Sequence, residues 1–473
     1  MTSSNIANQI LWLNHLRRQV GGSPIPPWAL WPILLMVLAV AWMALQAIYC
    51  ATVEPLISDL ARRRRERQMA NAPPYPGGLA CQTTCQITSQ GPGPPEPLGP
   101  PEPRNRTQEL AQALGLHQLL LFSADGQGSC SMACDYCFLA KAGAHRVMGR
   151  ETLRDAMAFL GGLTDRPGLH FFGTEPTMQW GLIEEARRLR PDWPISMTTN
   201  GLLLTPERID WMAAHDVRVY VYSIDGGPAH HRHRVDSAGR PTWGRVAEHL
   251  RYLVQTQGDW VTARVTWTPD DYDLVGRFAA LEALGARSIQ AVPDIEHGVV
   301  WDEQRVEQAY LELGEHYAWG RTPSRYINDL VDAIAHGKPK PGYPCNAGRG
   351  YWAVMPDGEL RTCQRGERIG SIYEGITDEI PLYESQLCGQ IVNSRQPLRP
   401  ECHSCDGFGH CPGVGYCIAA GREAGSPATP TEGHCQHLRG MVRACREWAA
   451  KQPTPVSGVL QRDVLGVTYR AIA

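Results

Sequence analysis

This chain has almost no net charge. Its 45 Lys and Arg stand against 48 Asp and Glu, for a formal charge of −3. No bulk electrostatic pull toward nucleic acid follows from such a balance. No internal repeat is evident, which argues against solenoid architectures. No charged residue interrupts the stretch from Trp28 to Tyr49, WALWPILLMVLAVAWMALQAIY. No clear small-x-small cleavage site accompanies that stretch, and a signal-peptide core is usually only about 7–15 residues long. A transmembrane helix is therefore favoured over a cleaved signal peptide or a buried core helix. At 1.5 Å per residue the stretch spans about 33 Å, against a hydrocarbon core of about 30 Å. Trp28, Trp31 and Tyr49 sit at its ends as interfacial anchors do, and Pro32 falls in the first turn, where it is tolerated.

Orientation comes from the basic residues. Arg17 and Arg18 precede the span, and Arg62, Arg63, Arg64, Arg65 and Arg67 follow it. The C-terminal side is expected to face the cytoplasm, with the arginine run against lipid head groups or as a solvated helix face. Residues 71–106 are rich in Pro and Gly and read as an extended tether. Cys81 and Cys85 lie within it and read as loop thiols.

Cysteine, by contrast, is plentiful, with 15 in 473 residues. Three of them form the run Cys130-Ser131-Met132-Ala133-Cys134-Asp135-Tyr136-Cys137, a C-x3-C-x2-C spacing. No fourth Cys or His stands close by. A structural zinc site prefers four closed ligands, so this trio suits zinc less well than a four-iron cluster with one iron left open. An open iron can bind and activate a small molecule. The thiolate spacing also calls for a reducing compartment, which agrees with the orientation from the arginines.

From residue 115 onward, strand-like and helix-like segments alternate. Strands are expected at Leu119–Phe122, Leu169–Phe172, Ile195–Thr199, Arg218–Ile224, Thr262–Trp267 and Ser288–Val292. Helices are expected at Arg150–Gly161, Gly181–Arg190, Thr205–His215, Trp243–Thr256 and Leu274–Leu284. Parallel strands bring their C-terminal ends to one face, and the informative motifs fall there repeatedly.

With these residues in view, the chain resembles the radical SAM enzymes, and its later cysteines resemble their SPASM extension. The resemblance covers roughly residues 115–440. It implies an α/β fold: a partial (β/α)6 TIM-like barrel with a C-terminal Cys-rich SPASM domain and an N-terminal transmembrane helix. The expected domains are an anchor at 1–70, the linker at 71–106, the barrel at 107–320, the SPASM domain at 321–440 and a tail at 441–473. It implies that Cys130, Cys134 and Cys137 bind a [4Fe-4S] cluster whose open iron takes S-adenosylmethionine, with Tyr136 near the adenine.

Further family positions fall at strand ends. Gly173-Thr174-Glu175-Pro176 matches the G-G-E-P pattern with Thr174 in place of the second glycine. The resemblance gives Gly173 and Glu175 to the cofactor's amino group. Thr199-Asn200-Gly201 reads either as a structural turn or as a cofactor contact through Asn200. Ser223-Ile224-Asp225-Gly226, with His230 and Arg234, resembles a signature of peptide- and sulfatase-modifying members; the resemblance gives Ser223 and Asp225 to the cofactor and Arg234 to its carboxylate, with Arg232 as a rival for that role. The loop histidines His230, His231 and His233 read as polar rather than metal-binding.

The later cysteines follow C-x17-C between Cys345 and Cys363, with Gly358 between them, then Cys402, Cys405, Cys411, Cys417 and Cys435. The gap from Cys411 to Cys417 is longer than in the pattern. By analogy one auxiliary cluster takes Cys402, Cys405, Cys411 and Cys435, and another takes Cys345, Cys363 and Cys417, whose fourth position is either Cys388 or open to substrate. Cys50 and Cys445 have no assignment. Sulfatase-maturing relatives place an Asp directly after the second of these cysteines, where it acts as a base. Here Gln364 stands there, and an amide is no useful base, so formylglycine formation is not expected.

The expectation is a membrane-tethered oxidoreductase that modifies a peptide or protein side chain, by cross-link, thioether or other C–H functionalisation. An electron donor such as flavodoxin or ferredoxin and membrane lipid are the expected partners, with no nucleic acid. Two alternatives stand beside it: a maturase of a small-molecule or cofactor precursor, and a non-catalytic membrane-bound Fe–S or zinc scaffold.

Overall fold

Alternation of apolar strands with amphipathic helices sets the architecture. The helix Arg150–Gly161 buries Leu153, Ala156, Met157 and Leu160, one stripe at helical spacing. The strand Gln118–Phe122 is buried along its whole length, as parallel strands covered on both faces are. A computed structural model describes residues 103–126, 128–141, 145–296, 298–337, 347–383, 400–411, 417–423 and 430–452. All lie within one unit, Glu96–Ala473. The apolar run at 28–49, the arginine cluster, most of the tether, Cys345 and Cys388 lie outside the described residues. Among the described residues no helix is long and apolar enough to cross a membrane.

The elements in chain order are α1 (Pro103–Ala113), β1 (Gln118–Phe122), β2 (Ala124–Asp125), β3 (Arg146–Val147), α2 (Arg150–Gly161), β4 (Gly168–Phe172), α3 (Trp180–Leu189), β5 (Ile195–Thr199), α4 (Pro206–Ala214), β6 (Val217–Ser223), α5 (Trp243–Gln257), β7 (Thr262–Trp267), α6 (Leu274–Glu282) and β8 (Ser288–Pro293). Then follow α7 (Glu303–His316), α8 (Arg325–Ala335), β9 (Tyr351–Val354), β10 (Glu359–Arg361), β11 (Arg368–Ser371), β12 (Gly375–Ile376), α9 (Ile418–Glu423) and α10 (Glu432–Lys451). All six strands and five helices expected from the sequence are present, with ends shifted by at most a few residues.

One ten-stranded sheet runs β12-β11-β10-β9-β1-β4-β5-β6-β7-β8. The strands β1, β4, β5, β6, β7 and β8 are mutually parallel, and β9 adds to β1 in parallel. Beyond β9 the sheet turns antiparallel. The strand alternation sorts the core into two sets. Leu119, Leu121, Phe171, Val219 and Val265 pack with the helices. Leu120, Phe122, Tyr351, Ala353 and Cys363 form a second cluster with Phe172 and Leu139 against it. Helices pack on the first face, and Leu139, from the turn that follows the first cysteine run, packs on the second.

The C-terminal region is not appended as a separate layer. β9 hydrogen-bonds directly to β1, with Gln118 opposite Tyr351 and Leu121 opposite Val354. The boundary expected at residue 440 falls inside α10, which continues to Lys451 and buries Cys445 and Trp448. Cys445 is thus a core residue of a helix rather than part of a tail.

Candidate functional site

The loop after β1 carries the first three cysteines, all half-buried and none in a disulfide. Burial, then the nearby Glu175 carboxylate, pushes the Cys130 thiol up to about 12. Burial also pushes Cys134 up to about 11, against the pull of Arg234. Thiols raised this far, as at Cys130 and Cys134, stay protonated alone, and a metal is what would deprotonate them. Among the described residues no three Cys, His, Asp or Glu side chains converge as a single-ion site requires. Thiolates on a cluster sit on different irons and need no common point.

Three neighbouring loops hold this one. From β4, Gly173 has φ +108, and a Cβ there would lie 2.8 Å from the Ala124 carbonyl oxygen, so only glycine allows the close approach. Thr174 donates its hydroxyl to the Ser129 carbonyl at 2.5 Å, directly before Cys130. The departure from the glycine pattern is therefore a tether for the cysteine loop. A hydroxyl in a slot that tolerates glycine was the signal available in the sequence.

Glu175 is completely buried. Its Oε1 accepts from the Thr177 N–H and from the Thr177 and Thr199 hydroxyls at 3.0, 2.6 and 2.7 Å. Its Oε2 accepts from the Asn200 N–H at 2.7 Å. Burial raises its pKa, and these donors oppose the shift. The carboxylate locks the loops after β4 and β5 together. Asn200 in turn reaches Cys130 Sγ with Nδ2 at 3.4 Å and Ser131 Oγ at 3.2 Å. Gly201 follows at φ +74, where a Cβ would strike the Tyr222 ring.

The third support comes from the end of β6. Tyr136 donates to Asp225 Oδ2 at 2.5 Å, and Arg234 Nε donates to the same oxygen at 2.9 Å. Asp225 Oδ1 accepts the Thr266 N–H at 2.9 Å. The Arg234 guanidinium lies 5.3 Å from the Tyr136 ring centre. Burial pushes Asp225 up, but Arg234 and the Tyr136 hydrogen bond outweigh it and the net direction is down. Between the rival arginines the geometry is unequal. The Arg234 side chain is 8% exposed and sits in the site, whereas Arg232 is 44% exposed and pairs with Asp270. His233 joins Asp135 and Asp270 at 2.7 and 2.9 Å, and His231 is buried against Thr242, so the loop histidines are bonded into polar networks. Ser223 ends β6 directly before this group.

Thus Cys130, Cys134, Cys137, Tyr136, Gly173, Glu175, Asn200, Ser223, Asp225 and Arg234 come together at the C-terminal ends of β1, β4, β5 and β6. The later cysteines are drawn from four places. Cys363 follows β10 and is buried. Burial first, then Cys417, pushes its thiol up to about 11, so these two are neighbours. Cys402, Cys405 and Cys411 share one loop, with the Cys405 N–H bonded to the Cys402 carbonyl. Cys435 sits in the first turn of α10. His170, missed in the sequence, is buried on β4 between Ser196 Oγ and Thr198 Oγ1 at 2.8 and 2.9 Å. Burial holds its pKa down to about 3.

Residues 126–269, less than half of the chain, match the family model described as the radical SAM superfamily. No curated protein matches the chain by sequence. Native anSMEcpe with bound AdoMet is similar in structure, with a TM-score of 0.55 at 18% identity, over 70% of this chain and 98% of that one. The same protein with bound AdoMet and a Cp18Cys peptide gives 0.55 and 18%, over 71% and 98%. Streptococcus suis SuiB bound to precursor peptide SuiA gives 0.47 and 13%, over 70% and 79%. At these identities the likeness is one of fold.

Proposed function

We propose that this radical SAM enzyme modifies a side chain of a peptide or protein, starting from an S-adenosylmethionine bound beside the first three cysteines. One observation carries the reading: the cysteine loop is fastened to three strand ends by buried polar groups that also face a common site. Cys130, Cys134 and Cys137 would hold a four-iron cluster, and the half-buried trio on one loop, with the Cys130 and Cys134 thiols raised by burial, fits that role. Bound there and reduced by one electron, S-adenosylmethionine supplies a 5′-deoxyadenosyl radical able to take hydrogen from carbon.

The chain's own residues do the rest. Glu175 fixes the loops that wall the site. Asn200 offers its amide beside Cys130. Arg234, held by Asp225, keeps a cation where a cofactor carboxylate would sit. Tyr136 is anchored by its hydroxyl and presents its ring near the same place. Burial around these groups excludes water, which a carbon radical requires.

Cys363, Cys402, Cys405, Cys411, Cys417 and Cys435 would hold auxiliary clusters, with Cys345 as a further ligand by analogy and either Cys388 or an open position for substrate beside it. Such clusters suit an oxidative outcome or capture of a substrate thiolate. The peptide preference draws on the fold shared with anSMEcpe, which has been seen with a peptide bound. A flavodoxin or ferredoxin would serve as electron donor. The apolar run at 28–49 and the arginines after it support a single-pass tether with the enzyme on the cytoplasmic side, which a reporter fused after residue 70 tests.

The functional test has two stages. Anaerobically reconstituted, reduced protein should form 5′-deoxyadenosine from S-adenosylmethionine. Mass spectrometry of a peptide encoded beside the gene should then show a loss of two hydrogens for a cross-link or thioether. A peptide that returns unchanged in mass and stereochemistry, while 5′-deoxyadenosine accumulates, would overturn the peptide reading.

A further inference from the structure

The turn between β10 and β11 and the loop after β8 belong to opposite ends of the ten-stranded sheet. They are nevertheless joined. Arg365, on that turn, grips the Glu296 carboxylate with both terminal nitrogens, Nη2 to Oε2 at 2.9 Å and Nη1 to Oε1. The same guanidinium lies 4.8 Å from the ring centre of Phe138, the residue directly after Cys137. The Arg365 backbone N–H lies 3.4 Å from Cys363 Sγ. One residue therefore touches the loop of the first cysteine set, a cysteine of the second set, and the far edge of the sheet.

The pair is shielded, with side chains 12% and 23% exposed for Arg365 and Glu296. A two-pronged arginine–carboxylate contact backed by an aromatic ring is among the stronger and more directional polar contacts a protein makes. Lysine could not reproduce its planar fork. Next to it, the buried Oε1 of Gln364 has no hydrogen-bond partner among the described residues. A buried acceptor left empty is a place for an incoming N–H, such as a peptide amide.

We propose that the Arg365–Glu296 pair is a clasp across the open side of the barrel, and that a substrate segment reaches the first cysteine loop through the gap it closes, meeting Gln364 on the way. What the route serves rests on the radical reading above. The clasp itself rests only on the contacts.

Hydrogen exchange on the full chain tests the clasp without any substrate. Arg365→Ala and Glu296→Gln should each speed exchange in the two joined loops by about tenfold or more, the factor implied by losing one charge-assisted hydrogen bond. The charge-exchanged double variant, Arg365→Glu with Glu296→Arg, should return exchange toward the wild-type rate. A loss of folding in Arg365→Ala alone would not be rescued selectively in this way. Unchanged exchange in both single variants, or a double variant as open as the singles, overturns the clasp.

The route is tested on cluster-loaded protein with the chelator bathophenanthroline disulfonate. Iron should leave faster from each single variant and at the wild-type rate from the double. Equal rates in all four proteins overturn the route. If no iron loads at all, the proposed function fails, while the exchange experiment still judges the clasp.

Discussion

The two cysteine-bearing regions are built in opposite ways. The first takes three thiols from a single loop and fastens that loop to the ends of β4, β5 and β6 through Thr174, Asn200 and the Tyr136–Asp225–Arg234 group. The second collects its thiols from a turn after β10, a loop at 402–411, the residue before α9 and the first turn of α10. The difference teaches where stability should matter to chemistry. In the first region one buried ion pair organises the site. In the second, the frame is helix packing of α10 on α7, reinforced by half-exposed pairs such as Arg443 with Glu303, Glu307 and Asp406.

The largest effect expected from that contrast is at Asp225. Asp225→Asn keeps the shape but leaves Arg234 buried without its counter-charge. Breaking a buried pair from one side costs about 3–5 kcal/mol, which denaturant unfolding will read. Affinity for S-adenosylmethionine should fall with it, and wild-type stability in this variant would erase the contrast.

Glu175→Ala comes next. It strips the acceptor from four donors across two loops, so the loops after β4 and β5 lose the carboxylate that joins them. Isothermal titration should show S-adenosylmethionine binding weakened by at least about tenfold, with the iron content retained.

Acid sensitivity probes both regions at once. His170 on β4 and His437 on α10 are each held down to about 3, by burial in both and by His434 in addition for His437. Unfolded, each takes up a proton below about pH 6.5. Stability from these groups is therefore full above that pH and is lost as pH falls toward 3, by up to about 1.4 kcal/mol per unit for each group. His437 is caged by the rings of Trp267, Trp301 and Tyr310. Urea melts at pH 7 and 4.5 should show a shallower acid loss in His437→Phe and in His170→Asn. An unchanged slope would mean these rings are not neutral in the folded protein.

The smallest effect is expected at Arg443. Its side chain is 27% exposed and its partners 28–38%, and pairs this wet contribute under about 1 kcal/mol. Arg443→Ala should move the unfolding midpoint only slightly. A loss as large as that of Asp225→Asn would show that the second region also depends on one ion pair.

Legibility in the sequence follows the same division. The six βα units could be read because each strand is a short apolar run and each helix a buried stripe, both local patterns. The first cysteine set was legible because its spacing is contiguous. The junction of β9 to β1 was not, because pairing between residues so far apart leaves no local trace. Nor was α10, whose Gly and Cys residues masked one continuous helix. Arg365 and Glu296 belong to no motif, and only the fold brings them together. Asp225 was read as a cofactor contact, and the structure adds what the sequence could not hold: its carboxylate is already engaged by Tyr136, Arg234 and Thr266.

The most direct test of the account is the yield of 5′-deoxyadenosine from anaerobically reconstituted, reduced protein supplied with S-adenosylmethionine. The account predicts product from the wild type, none above background from Cys137→Ala, and a partial yield with lowered iron content from Cys402→Ala. Equal yields from all three proteins would contradict it.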